Sequence, residues 1–199
     1  MATHHPAVPW RLVPDVLAKK LHPMKASTGR DALLFLILTA ARFGEVRGAR
    51  WDELDLDHQV WTVPATRMKA EQIHRVPPSM QAREILERRL QFKSEGPWIF
   101  SNNGLKPIGD VTLTALLRGA NIGSDTDDRV ATAHGFRSSF CDWASERRYS
   151  RDLAERALAH TIRSATEAAI HRTDQLEGRM PMMQDWGDYV MGSGTDANR

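Results

Sequence analysis

His134-Gly135-Phe136-Arg137 places an imidazole and a guanidinium three residues apart, so that on a helix both project from one face toward a common partner. An imidazole exchanges a proton near neutral pH, and a guanidinium fork matches two oxygens of one phosphate or carboxylate. The pair therefore suits the binding of an oxyanion, although such pairs are also common as ordinary surface groups. Three more cations draw notice by context. Arg42 follows a strongly apolar run and precedes Phe43, at the edge of a core where an unpaired guanidinium is costly; Glu45 or Asp52 could pair with it. Lys69 sits in a polar stretch between two β-type runs, a place where lysine is usually solvated. His160 follows Leu153-Ala154-Glu155-Arg156-Ala157-Leu158-Ala159, and could serve a site or the end of a helix dipole. Spacing alone leaves both readings of each residue open.

The elements that must position these groups are mostly helical. Asp31 can cap a helix whose residues Leu34, Ile37, Leu38 and Ala41 recur at helical spacing. A further helical turn or two is expected over 45–51, and helices are expected over 81–92, 110–119, 137–147, 151–158, 164–174 and 182–190. Residues 60–63 and 73–76 are short β-type runs around a polar connection, which suggests a hairpin, and Pro77-Pro78 closes the second run. A short strand is expected at 98–100, running into the turn Ser101-Asn102-Asn103-Gly104. The expected fold is mainly α with a small antiparallel β-sheet. Residues 1–30, with four prolines, read as a lead-in segment with one short helix. Residues 31–190 read as the main domain and 191–199 as a flexible tail.

Composition sets the outer bounds. The 199 residues are 41% hydrophobic and 26% charged, enough for one domain that buries roughly 70% of its unfolded surface without a metal or disulfide staple. Cys141 is the single cysteine, which points to a reducing compartment. The longest apolar run, 32–41, is far short of a membrane span of roughly 20 residues, so a cytoplasmic protein with no membrane partner is expected. The formal charge is only +2, but arginine outnumbers lysine 21 to 6, and arginine is the cation whose geometry suits phosphate.

Taken in order, the motifs resemble the catalytic domain of the tyrosine recombinases, in the phage and prophage integrase branch. The resemblance rests on the apolar run 33–42 ending in Ala40-Ala41-Arg42, with Gly44-Glu45-Val46-Arg47-Gly48. It continues through Arg67-Met68-Lys69 with His74-Arg75-Val76-Pro77, then Ala133-His134-Gly135-Phe136-Arg137, then Ala157-Leu158-Ala159-His160. It covers about residues 5 to 190, with the intervals the family shows. It implies the recombinase catalytic-domain fold, no cofactor, no metal, double-stranded DNA as partner, self-association on DNA and a bacterial, DNA-associated location. It also implies roles. Arg42 and Arg137 would clamp the nonbridging oxygens of a scissile phosphate. His134 would take the nucleophile's proton or hold an oxygen, His160 would donate a hydrogen bond, and Lys69 would protonate the leaving 5′ oxygen. Glu45 would orient the arginines.

One position departs from the pattern. Family members carry a tyrosine nucleophile ten residues after the second histidine, and here that place is Ile170. An aliphatic side chain has no oxygen with which to attack phosphorus. Of the two tyrosines, Tyr189 is expected to pack against the domain or a neighbouring protomer, and Tyr149 to lie in an exposed turn. His171 lies roughly 100° round the helix from the substituted position. A decayed prophage gene, an engineered inactive variant, or a retained DNA-binding role without chemistry would each account for Ile170. The stretch His4-His5-Pro6-Ala7-Val8-Pro9-Trp10 resembles the approach to the catalytic domain, so the DNA-binding domains such integrases carry upstream are expected to be missing. The alternative to an enzyme is a non-enzymatic DNA-binding or partner-binding module derived from a degenerate integrase.

Overall fold

The computed structural model describes residues 5–93, 95–160 and 173–192. After the turn Trp10–Leu12, the short helix α1 (Val13–Val16) continues as a widened turn over Leu17–Leu21. Val13, Leu17 and Leu21 fall four residues apart and all three are buried. The lead-in thus contributes directly to the hydrophobic core.

Helix α2 (Thr28–Thr39) runs through the middle of the molecule. Ser27, and not Asp31, caps it: the Ser27 hydroxyl accepts from the Arg30 N–H at 3.2 Å. Asp31 lies inside the first turn, buried, where Arg88 donates to it at 2.8 Å. A carboxylate near a helix start favours either arrangement, and the buried ion pair is the one formed. All residues of α2 except Arg30 are buried, because neighbouring helices enclose it on several sides. It ends where Ala40 turns left-handed with φ 50°, and α3 (Phe43–Arg47) follows. The latter is shorter than the 45–51 expectation, since Trp51–Glu53 forms a separate single turn.

Three antiparallel strands make the sheet, in the order β1 (Leu54–Asp55), β2 (Val60–Val63) and β3 (His74–Val76). The register pairs Leu54 with Trp61, Trp61 with Val76 and Val63 with His74. The expected hairpin is present; β1 escaped the sequence reading because two residues cannot show alternation. Residues 98–100 join no sheet: Trp98 makes an isolated bridge to Arg50, while Phe100 packs against Phe35 with ring centroids 5.4 Å apart.

The hairpin base is fixed by one carboxylate. Glu53 receives Arg67 bidentately at 2.9 and 2.7 Å and the Trp61 indole N–H at 3.0 Å. Arg67 also donates to the Glu45 carbonyl at 3.1 Å. Its guanidinium passes so close to Gly48 that a Cβ there would lie 2.5 Å from Arg67 Nη1, which is why the glycine is needed.

The remaining helices are α4 (Met80–Gln91), α5 (Thr112–Gly119), α6 (Gly135–Glu146), α7 (Arg151–Ala157) and α8 (Leu176–Met191). Ser79 and Ser150 cap α4 and α7. Helix α8 starts six residues before the expected 182, with Pro181 in its interior. The expected helix over 164–174 lies almost wholly outside the described residues. Phe140, Trp143, Trp186 and Tyr189 form an aromatic cluster joining α6 to α8, and the Trp186 indole donates to the Ile37 carbonyl at 2.8 Å. The fold is mainly α with a small antiparallel sheet, as the sequence suggested. Among the described residues no helix is long and apolar enough to cross a membrane.

Removing the Glu53 carboxylate leaves Arg67 and the Trp61 indole without their shared acceptor. Glu53→Ala is expected to lower unfolding free energy by about 3 kcal/mol, measured by urea denaturation, against a near-neutral change for the exposed Glu71→Ala.

Candidate functional site

Arg137, in the first turn of α6, is 3% exposed. A buried guanidinium needs acceptors, and it finds them at two helix ends. Its Nη1 donates to the Ala40 carbonyl at 2.5 Å, past the end of α2, and its Nη2 to the Leu158 carbonyl at 2.7 Å, past the end of α7. Those ends carry the negative pole of each helix dipole. Burial, then repulsion from Arg42, lowers the Arg137 pKa to about 10, and Glu45 works against that shift. The guanidinium therefore remains charged at neutral pH. Its Nε is buried with no hydrogen-bond partner among the described residues.

Arg42 is set beside it by Glu45, which is 4% exposed. One carboxylate accepts from both the Arg42 backbone N–H at 2.8 Å and its Nη1 at 2.7 Å. Nη2 of Arg42 donates to the Ala159 carbonyl at 3.2 Å. The two arginines, 95 positions apart in sequence, are thus seated on consecutive carbonyls, those of Leu158 and Ala159. The left-handed turn at Ala159, φ 49°, presents the second of these.

His160 completes the group and its tautomer follows from its partners. Nε2 lies 3.2 Å from Arg137 Nη2, and Nδ1 lies 2.5 Å from Glu155 Oε2. A guanidinium only donates and a carboxylate only accepts. Neutral His160 therefore carries its proton on Nδ1, facing Glu155, and offers Nε2 as an acceptor. Glu155 was not singled out in the sequence; its signal was present, five residues before His160 on a helix that ends there.

His134 lies just ahead of α6 with an exposed edge. The His5 ring stands against it, with centroids 4.2 Å apart. Its pKa is lowered to about 4, first by loss of surrounding water and then by repulsion from His5, Arg137, Arg42 and His160. His134 is thus a neutral imidazole at physiological pH, with its basic nitrogen free of a proton. His74 of β3, buried beneath, is also lowered to about 4, by burial first and then by Arg179.

The structure brings Arg42, Glu45, His134, Arg137 and His160 together, and leaves Lys69 apart from them. Lys69 is exposed in the β2–β3 connection, two residues beyond the anchored Arg67, and its ammonium pairs with no described residue. Ile170 and His171 lie outside the described residues. The chain on either side of them is tied down: His160 by Glu155, and residues 173–175 by Arg156 donating to the Thr173 carbonyl at 2.6 Å and by Arg75 donating to Asp174 at 2.6 and 2.7 Å. Tyr149 departs from the expected exposed turn: it is half-buried, its ring packs 5.5 Å from Trp143, and its hydroxyl donates to Asp185. Tyr189 packs against the domain, as expected, and its hydroxyl donates to the Trp10 carbonyl at 3.3 Å. Burial raises the pKa of both phenols, which makes neither a ready nucleophile. Among the described residues no three His, Cys, Asp or Glu side chains are placed to share a metal ion.

The Nδ1–H form of His160 should be visible in ring ¹⁵N shifts at pH values where it is neutral. Glu155→Ala removes the acceptor that selects that form and is expected to give a mixture of the two tautomers, with the Arg137 contact weakened.

Comparison with known proteins places these features in a family. The model of the phage integrase family matches residues 15–175. Prophage integrase IntA of Escherichia coli (strain K12) is 34% identical over 183 residues, covering 89% of this chain and 43% of the relative. The integrase of Enterobacteria phage P4 is 34% identical over 205 residues, covering 95% of this chain and 46% of the relative. The chain spans about half the length of these curated relatives. Among solved structures, the integrase from mycobacterium phage Brujita superposes with TM-score 0.64 at 17% identity, over 92% of this chain and 58% of the other. A lambda integrase dimer bound to a COC′ core site gives TM-score 0.57 at 17% identity, over 88% and 62%. At such identities the structural likeness speaks for the fold, and the sequence matches for descent. The chain belongs to the phage integrase family.

Proposed function

We propose that this chain is the catalytic domain of a site-specific tyrosine recombinase which binds the scissile phosphate of double-stranded DNA but cannot form the covalent intermediate. The observation that carries the reading is the seating of Arg42 and Arg137 on consecutive carbonyls beside His160. Two guanidiniums whose directions are already set can meet the nonbridging oxygens of a phosphodiester without reorganising as charge builds in the transition state.

The other side chains fill the remaining parts of the reaction. In the family chemistry a tyrosine oxygen attacks phosphorus, forming a 3′-phosphotyrosyl bond as the bond to the 5′ oxygen breaks. The nucleophile's proton goes to a base and the leaving oxygen takes one from an acid. His134, neutral at physiological pH, has an unprotonated nitrogen that can take that proton. Lys69, exposed on the β2–β3 connection and unpaired among the described residues, suits the acid. His160 can donate to a phosphate oxygen only once Nε2 gains a proton, and Glu155 at 2.5 Å supplies the counter-charge for that imidazolium. Ile170 at the nucleophile position supplies no oxygen, and the two tyrosines are engaged elsewhere. A pocket that binds phosphate without cutting also suits a non-enzymatic DNA-binding module, and Ile170 is the observation that favours this second reading.

A suicide substrate with a nick beside the scissile phosphate separates the two. The wild-type chain is expected to give no covalent protein–DNA adduct, and Ile170→Tyr to give one that Arg137→Ala in the same background abolishes. An adduct from the wild-type chain overturns the assignment of Ile170; no adduct from Ile170→Tyr favours the module that only binds.

Because the contacts are to phosphate, affinity for duplex DNA should fall steeply with salt and depend little on sequence. Fluorescence anisotropy across a salt series is expected to show a slope that becomes shallower in Arg42→Ala; a flat salt profile argues against phosphate contacts.

A further inference from the structure

The segment ahead of the first helix runs along the start of α6. Its backbone is clamped at consecutive residues. The Pro6 carbonyl accepts from the Thr132 N–H at 3.0 Å. The Ala7 N–H donates to Asp125 Oδ1 at 3.0 Å, while the Ala7 carbonyl accepts from the Asp125 N–H at 2.8 Å. Ser139, one turn into α6, donates to the Val8 carbonyl at 2.5 Å. The approach is so close that a Cβ on Gly135 would lie 2.1 Å from the Pro6 carbonyl oxygen. Glycine between His134 and Phe136 is what lets this strap lie against the helix.

This clamping fixes where the strap's first described side chain goes. His5 precedes the held residues directly, and its ring meets that of His134 at a centroid distance of 4.2 Å, tilted by 51°. We propose that His5 is a positioning residue of the phosphate pocket: its ring packs on His134 and holds that imidazole in the orientation needed to act on the bound phosphodiester. The inference rests on the reading of His134 as the base of that pocket. His5 itself touches no reacting atom.

The arrangement also explains part of the electrostatic setting of His134. The charged and titratable groups that bear on it are Arg42 at the start of α3, Arg137 in α6, His160 after α7 and His5 on the strap. Of these four groups, His5 is the one whose ring is found packed against that of His134. Replacing it with alanine exposes one face of His134, whereas phenylalanine keeps the cover and removes the second imidazole.

The test uses His5→Ala and His5→Phe, each first shown by thermal melting to fold as the wild type does. NMR titration of the His134 ring in the chain without DNA is expected to show its midpoint moving up toward the ordinary histidine value in His5→Ala, and staying nearer the wild-type value in His5→Phe. In the Ile170→Tyr background, adduct formation on nicked DNA should be about tenfold slower with His5→Ala, with rescue by His5→Phe. An unchanged His134 titration in His5→Ala, or an unchanged adduct rate, overturns the proposal. If Ile170→Tyr makes no adduct at all, the reading of the site as a catalytic one fails, and the titration alone still decides whether His5 holds His134.

Discussion

A charged guanidinium that is 3% exposed constrains everything around it. Arg137 cannot remain ionised in the interior unless several acceptors face it, and the fold provides them from two helix ends far apart in sequence. Helix α2 has to stop at Ala40 and α7 at Leu158 so that carbonyls no longer bonded within a helix are available. Both stops are made by alanines in the left-handed conformation, at residues 40 and 159, which is a mildly costly backbone state for a residue with a Cβ. The strain is tolerated because the carbonyls it exposes are bound by arginine.

The second arginine depends on the first arrangement. Once the end of α7 is turned toward Arg137, its next carbonyl is available to Arg42, and Glu45 at the start of α3 draws the two guanidiniums together against their repulsion. The sheet enters the same scheme through Arg67, which joins Glu53 on the strand side to the Glu45 backbone on the helix side. The base of the hairpin is rigid for that reason, while Lys69 two residues further on is solvated. A fixed base under a free tip is what a side chain needs if it has to reach a partner outside the domain.

How much of this was legible in the sequence differs by level. The apolar period of residues 34–41 and the two β-type runs declared α2 and the hairpin, whereas β1 was too short for any period to show. The capping of α2 was misassigned because Ser27 and Asp31 are both cap-competent, and only the presence of Arg88 decides that Asp31 is needed inside. The residue types at 42, 134, 137 and 160 could be read in order, yet each had an ordinary local explanation; it took the motif resemblance to join them. Glu155, Glu53 and His5 were invisible as site-shaping residues because their partners lie in the tertiary structure or, for Glu155, at a helix end whose geometry a linear pattern does not give. Tyr149 shows the converse: its neighbours Arg147, Arg148 and Ser150 look like a solvent-facing turn, but Trp143, six residues earlier, supplies a surface that draws the ring in.

Arg42, Arg137 and His160 are held by Glu45, Ala40, Leu158, Ala159 and Glu155, while Thr173 and Asp174 are held by Arg156 and Arg75. On the proposed reading, Ile170 costs the attacking oxygen and is none of these named partners. On that same reading, one codon separates cutting from holding: a lineage that loses the tyrosine keeps the grip, and the altered protein competes with intact copies for the same DNA.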